Sequence, residues 1–165
     1  MAGAVTEAWS VTVVISTVNR PHQLTRCLRS LLTGSRLPRA VVVVDQGAGG
    51  VETDAAIGSA RAGGLAITYL KQPRWGLSAS QNAGVRAAQT DVVAIIDDDC
   101  VADARWIEVI DDAFRTSSSP LLLTGRVLPL PPEEDRVAAV STRDSTRRCE
   151  WTRPPMPWHV CRPVD

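Results

Sequence analysis

No apolar stretch in this chain approaches the roughly 20 residues needed to span a bilayer, so no transmembrane segment is expected. The N-terminus lacks a basic segment followed by an apolar region, so a secretory signal is not expected either. Four cysteines, Cys27, Cys100, Cys149 and Cys161, form no C-x-x-C pair. That argues against a zinc knuckle or a redox dithiol. A Cys149–Cys161 disulfide is conceivable, but free thiols in a reducing cytoplasm are the expected state. Net charge is absent overall, so no global field draws nucleic acid or anionic membrane, and no nucleic-acid partner is expected. Peripheral contact with a membrane stays open. Of the 18 basic residues only Lys71 is lysine, a coding bias without a functional reading. His22 and His159 have no partners at metal-ligand spacing.

What the chain does have is an ordinary globular composition. Its 165 residues are 44% hydrophobic and 22% charged, enough for one domain with a real core. β-Branched or apolar runs recur at residues 11–15, 40–44, 65–70 and 92–96, and residues 121–124 begin a fifth. They are continuous rather than alternating, which predicts strands buried on both faces of a parallel sheet. Leu24, Cys27, Leu28, Leu31 and Leu32 form one helical stripe, with Pro21 suited to its first turn and Gly34 to its end. Ser78 is a candidate cap for a helix running to about Gln89. Asp103 is a candidate cap for another, with Trp106, Ile107, Ile110, Ala113 and Phe114 inward. Residues 46–64 read as a weak helix or a loop. Strands alternating with helices predict βαβ units with right-handed crossovers. The pattern fails after about Pro129, and residues 130–165 read as an irregular Pro- and Arg-rich tail.

The chemistry points to the ends of these strands. Asp97, Asp98 and Asp99 close the fourth apolar run. Burying unpaired carboxylates is costly, so they belong at an edge that holds something positive. In an extended chain Asp97 and Asp99 face one way and Asp98 the other. Such a pair suits a hard cation, Mn²⁺ or Mg²⁺. The plainer alternative is a solvated acidic turn. The carboxyl ends of parallel strands share one rim, where ligands bind. That rim would also carry Thr17, Asn19 and Arg20, then Asp45, then Ser78 and Asn82 ahead of Gly84. A metal and a helix N-terminus beside hydroxyl and amide groups suit a nucleotide diphosphate. Each of these residues taken singly could merely shape a turn or cap a helix. A dinucleotide-binding turn is excluded, because residues 16–21 contain no glycine.

Four segments in register, VVISTVNRP at residues 13–21, VVVD at 42–45, GLSASQNAG at 76–84 and IIDDDC at 95–100, resemble the family 2 glycosyltransferases. The resemblance covers about residues 10–129 and implies a Rossmann-like α/β fold of the GT-A type. That fold is a mostly parallel sheet with helices on both faces, here apparently truncated after the fifth strand. It implies that Thr17, Asn19 and Asp45 line the pocket for base and ribose. Asp97 and Asp99 would form the D-x-D motif, with Asp99 the more direct metal ligand. The implied reaction is transfer of a sugar from a nucleotide-diphosphate sugar to an acceptor hydroxyl. Three departures are visible. Val18 stands where an aromatic residue is common, and Gln81 where an arginine is common. The acceptor half with its carboxylate base is not found, since Glu133, Glu134 and Asp135 lie too early. The alternative is therefore a donor-binding fragment that binds nucleotide and metal without turnover. A phosphatase using D-x-D would carry that motif after the first strand, not the fourth. Sugar, base and acceptor are not specified.

Overall fold

The computed structural model describes residues 9–117 and 121–128 and the backbone of 149–151 and 161–163. The chain separates into two compact units, Met1–Thr116 and Ser117–Asp165. The first is a βα repeat: β1 (Val11–Thr17), α1 (Pro21–Leu32), β2 (Ala40–Asp45), α2 (Val51–Ala62), β3 (Ile67–Lys71), α3 (Leu77–Ala87), β4 (Val92–Asp97) and α4 (Trp106–Thr116). The strands form one parallel sheet in the order β3-β2-β1-β4. Strand order reverses at β1, so the crevice between the carboxyl ends of β1 and β4 is the topological switch point. Register aligns that rim, pairing Thr17 with Asp45, Asp45 with Lys71, and Ser16 with Asp97.

Helices cover both faces of the sheet. Val13, Ile15, Val41, Val43 and Val92 pack against α1, α2 and α4 through residues such as Leu24, Leu28, Ile57, Ile107 and Ile110. Val14, Val42 and Val44 pack against Ala83 and Ala87 of α3. The continuous valine runs are thus explained, because both sets of alternating side chains are removed from water. On the α3 side the cover stops short of β4, where Ile95 is 46% exposed.

Pro21 opens α1, as expected. Other expectations shift. Residues 51–62 are helical, although the buried face is built from small residues, Thr53, Ala56 and Ala60, with Ile57. α3 starts at Leu77 behind Gly76, whose φ of 94° favours glycine, so Ser78 lies inside the first turn and does not cap it. Asp103 accepts the Arg105 N–H at 2.9 Å just ahead of α4. No strand forms at residues 121–124. Leu122 is 55% exposed, and only a single bridge at Val127 follows. An apolar run forms a strand only where a neighbouring strand pairs with it, and no ladder partner is found for this one among the described residues. Within the stretch read as an irregular tail, β5 (Cys149–Trp151) and β6 (Cys161–Pro163) pair antiparallel. The side chains of Cys149 and Cys161, and residues 133–135 and 159, lie outside the described residues.

Gly84 sets how closely α3 approaches the sheet. A Cβ there would stand 2.3 Å from Cγ1 of Val14, which is fully buried. Alanine gains about 1 kcal/mol in helix propensity, but overpacking a filled core costs typically 1–3 kcal/mol. Gly84→Ala is expected to lower stability by about 1 kcal/mol net or more in denaturant unfolding. A stabilised variant would mean that α3 lifts freely from β1.

Candidate nucleotide and metal site

Loops from β1, β2, β3 and β4 enclose a cavity of about 550 Å³ at the switch point, within the usual range for small-molecule sites. Its wall includes Thr17, Asn19, Arg20, Gln46, Arg74 and Ser80, with Asp97, Asp98 and Asp99 closing one side.

The three aspartates divide at the strand end, where Asp97 closes β4 and Asp98 and Asp99 form a turn in which the Cys100 N–H donates to the Asp97 carbonyl at 3.1 Å. Asp98 is 4% exposed and points inward. It accepts a 2.7 Å hydrogen bond from the Thr17 hydroxyl and another at 3.2 Å from Arg20 Nη1. Arg20 also lies 3.6 Å from Asp99 Oδ2. Asp97 and Asp99 are exposed toward the cavity. Desolvation raises the Asp97 pKa, and repulsion from Asp99 and then Asp98 adds to it, against the pull of Arg20. Underneath, the Cys27 thiol is pushed up to about 12 by burial, then by Cys100 and the aspartates. It remains a thiol, with Sγ 3.6 Å from the Asp97 carbonyl oxygen as acceptor. Donor atoms of Asp97, Asp99 and Cys100 fall within 4.8 Å of one another, the one such group among the described residues.

The opposite wall is held by backbone locks. Asn19 has a φ of 53°. Its side-chain oxygen accepts the Ala48 N–H at 2.9 Å. Gly47 fits beneath it, since a Cβ there would meet Asn19 Oδ1 at 2.3 Å. Gln46, 6% exposed, clamps Gly76 from both ends of its amide. Nε2 donates to the Gly76 carbonyl at 3.1 Å, and Oε1 accepts the Gly76 N–H at 3.2 Å. The N-terminus of α3 therefore opens on the cavity with no side-chain cap and no acid in its first turn, a positive helix end suited to an anion.

Of the residues expected from sequence, Thr17, Asn19, Arg20, Asp97 and Asp99 line the cavity. Asp45 stands behind the wall at 2% exposure, with both oxygens engaged. Oδ1 accepts the Gly47 N–H at 2.7 Å and Oδ2 the Tyr69 hydroxyl at 2.6 Å. Ser78 and Asn82 are exposed on α3 and lie outside the lining, which Ser80 joins instead. Ser80 Oγ is 2.8 Å from Ser16 Oγ. Ser16, Gln46, Arg74 and Ser80 were not singled out from sequence. Their position at the strand ends was the available signal.

Comparison with known proteins bears on this site. The model of the family described as "Glycosyl transferase family 2" matches residues 12–119. A glucosyl-dolichyl phosphate glucuronosyltransferase of Haloferax volcanii is 32% identical over 63 residues, 38% of this chain and 20% of that protein. Among solved structures, the mannosyltransferase PcManGT from Pyrobaculum calidifontis, in complex with GDP-Man and Mn²⁺, superposes with a TM-score of 0.57 at 27% identity. That match covers 70% of this chain and 34% of that one. TarS of S. aureus, at 22% identity and a TM-score of 0.54, shares the fold over 64% of this chain and 31% of its own. The chain thus spans 20% of the curated relative and about a third of the solved ones.

Proposed function

Because the chain belongs to glycosyl transferase family 2 and has its Rossmann-like GT-A fold, we propose that it binds a nucleotide-diphosphate sugar for transfer to an acceptor hydroxyl. The observation that carries this reading is the placement of two exposed carboxylates, Asp97 and Asp99, in a cavity at the switch point of the sheet. They fit Mn²⁺ or Mg²⁺, because their oxygens are hard donors close enough to share one ion. Bound there, the ion would supply positive charge against the leaving nucleoside diphosphate.

The chain's own residues do the rest. Thr17 and Arg20 hold Asp98, which fixes the strand end from which its two neighbours project. Asn19 and Gly47 shape the wall for the base and ribose, and Asp45 acts by fixing Gly47 rather than by direct contact. The α3 N-terminus faces the phosphates. Among the described residues no helix is long and apolar enough to cross a membrane.

A narrower reading, donor binding without turnover, is favoured by one observation. Among the described residues every carboxylate on the cavity belongs to the acidic triplet, so none is left to take the acceptor proton. Calorimetric titration with UDP, GDP and dTDP, each with Mn²⁺ and again with EDTA, tests the common part. Binding of one nucleotide that disappears with EDTA is expected; no binding of any would refute the donor site. Release of free sugar from the matching nucleotide-sugar then separates the two readings.

A further inference from the structure

We propose that Arg74 is the residue that receives the diphosphate of the donor, an inference that rests on the donor-binding reading above. Five ionisable side chains line the cavity: Arg20, Arg74, Asp97, Asp98 and Asp99. Arg20 is committed, with Nη1 3.2 Å from Asp98 and 3.6 Å from Asp99. Arg74 is an exposed residue of the cavity lining, and among the described residues no carboxylate pairs with it.

Charge balance gives that arginine its task. With three aspartates ionised against two arginines the lining carries −1, and a divalent cation brings it to +1. Without Arg74 the loaded cavity would be neutral toward a dianion. The residue is also well presented. Pro73 restricts the backbone just before it. The Trp75 N–H donates to the Pro73 carbonyl at 2.8 Å, closing a tight turn around Arg74. One residue further on, Gln46 clamps Gly76. The turn is thus set before ligand arrives, so less order is lost on binding. A guanidinium matches phosphate oxygens with two parallel N–H donors, which an ammonium group cannot do.

The test is calorimetric titration of the full chain with UDP, GDP and dTDP in the presence of Mn²⁺, over a range of KCl concentrations. Wild type is compared with Arg74→Ala, Arg74→Lys and, as a control off the cavity, Arg86→Ala. Arg74→Ala is expected to bind about tenfold more weakly or worse. Its salt dependence should also be shallower, because one cation fewer meets the anion. Arg74→Lys should recover part of the loss, and Arg86→Ala should match wild type. Unchanged affinity in Arg74→Ala overturns the assignment while leaving the donor site intact. Weaker binding with an unchanged salt dependence also overturns it, since the contact would then not be to the phosphates. A wild-type chain that binds none of UDP, GDP and dTDP overturns the donor-binding reading and this inference together.

Discussion

Asp99→Ala abolishes metal-dependent nucleotide binding and leaves the domain folded: that is the expected result at the candidate metal site. Asp99 carries a side chain that is 56% exposed, and it approaches Arg20 at 3.6 Å. Nothing in the core depends on it, and surface substitutions of this kind change stability by about 0.5 kcal/mol at most. As a proposed direct ligand it should matter greatly to binding. Even outer partners of metal sites are worth about 10–100-fold, so loss of a ligand should exceed about a hundredfold. Asp98→Ala differs in kind. It would leave the Thr17 hydroxyl and Arg20 without their shared acceptor and disturb the fold as well as the site. Titration with Mn²⁺ and nucleotide, alongside thermal unfolding, distinguishes these. Metal-dependent affinity equal to wild type in Asp99→Ala would end the metal assignment.

The largest loss of stability is expected at Asp111. This α4 carboxylate is fully buried and accepts the Trp9 N–H at 2.8 Å, together with charged hydrogen bonds from Arg36 and Arg115. Breaking a buried pair costs about 3–5 kcal/mol. Both arginines are partly exposed and can turn to water, which places Asp111→Ala near the lower figure. That corresponds to a fall in Tm on the order of 10 °C for a domain of this size. Burial alone would raise the Asp111 pKa, but the Trp9 N–H, Arg36 and Arg115 outweigh it and hold the pKa below the usual carboxylate value. Its contribution is therefore complete above the unfolded-state pKa of about 4 and is lost as pH falls through the lower folded value. Melting curves of wild type and Asp111→Asn should be far apart at pH 7 and converge in acid. A gap that stays constant down to pH 2 would show that Asp111 stabilises by shape and not by charge.

Legibility from sequence followed the size of the side chains involved. β1, β2 and β4 were readable because valine and isoleucine fill both faces. The stripe of α1 was readable because its inward residues include three buried leucines. α2 was not, since alanine and threonine on its buried face leave almost no periodic signal. The leucines at residues 121–123 misled in the opposite direction, because an apolar run without a ladder partner is not a strand. At the site, residues carried by a motif were found, and residues defined by long-range partners were not. The Gln46 amide reaches Gly76 thirty positions away, and no local pattern encodes that. Asp45 was readable as a polar strand end, yet its engagement by Tyr69 appears only once β3 lies beside β2.

The split within Asp97, Asp98 and Asp99 has a consequence for how this site tolerates change. Three identical letters carry two different instructions, told apart by the turn that follows Asp97 and by the partners that meet Asp98. The odd positions address the solvent, and the even one addresses the protein interior. Inserting one residue between Ile96 and Asp97 would preserve the acidic string for any pattern search. It would nevertheless bring a different carboxylate opposite Thr17 and Arg20 and displace the turn that presents the other two. The site is thus robust to many substitutions around it and fragile to a shift of one position in length.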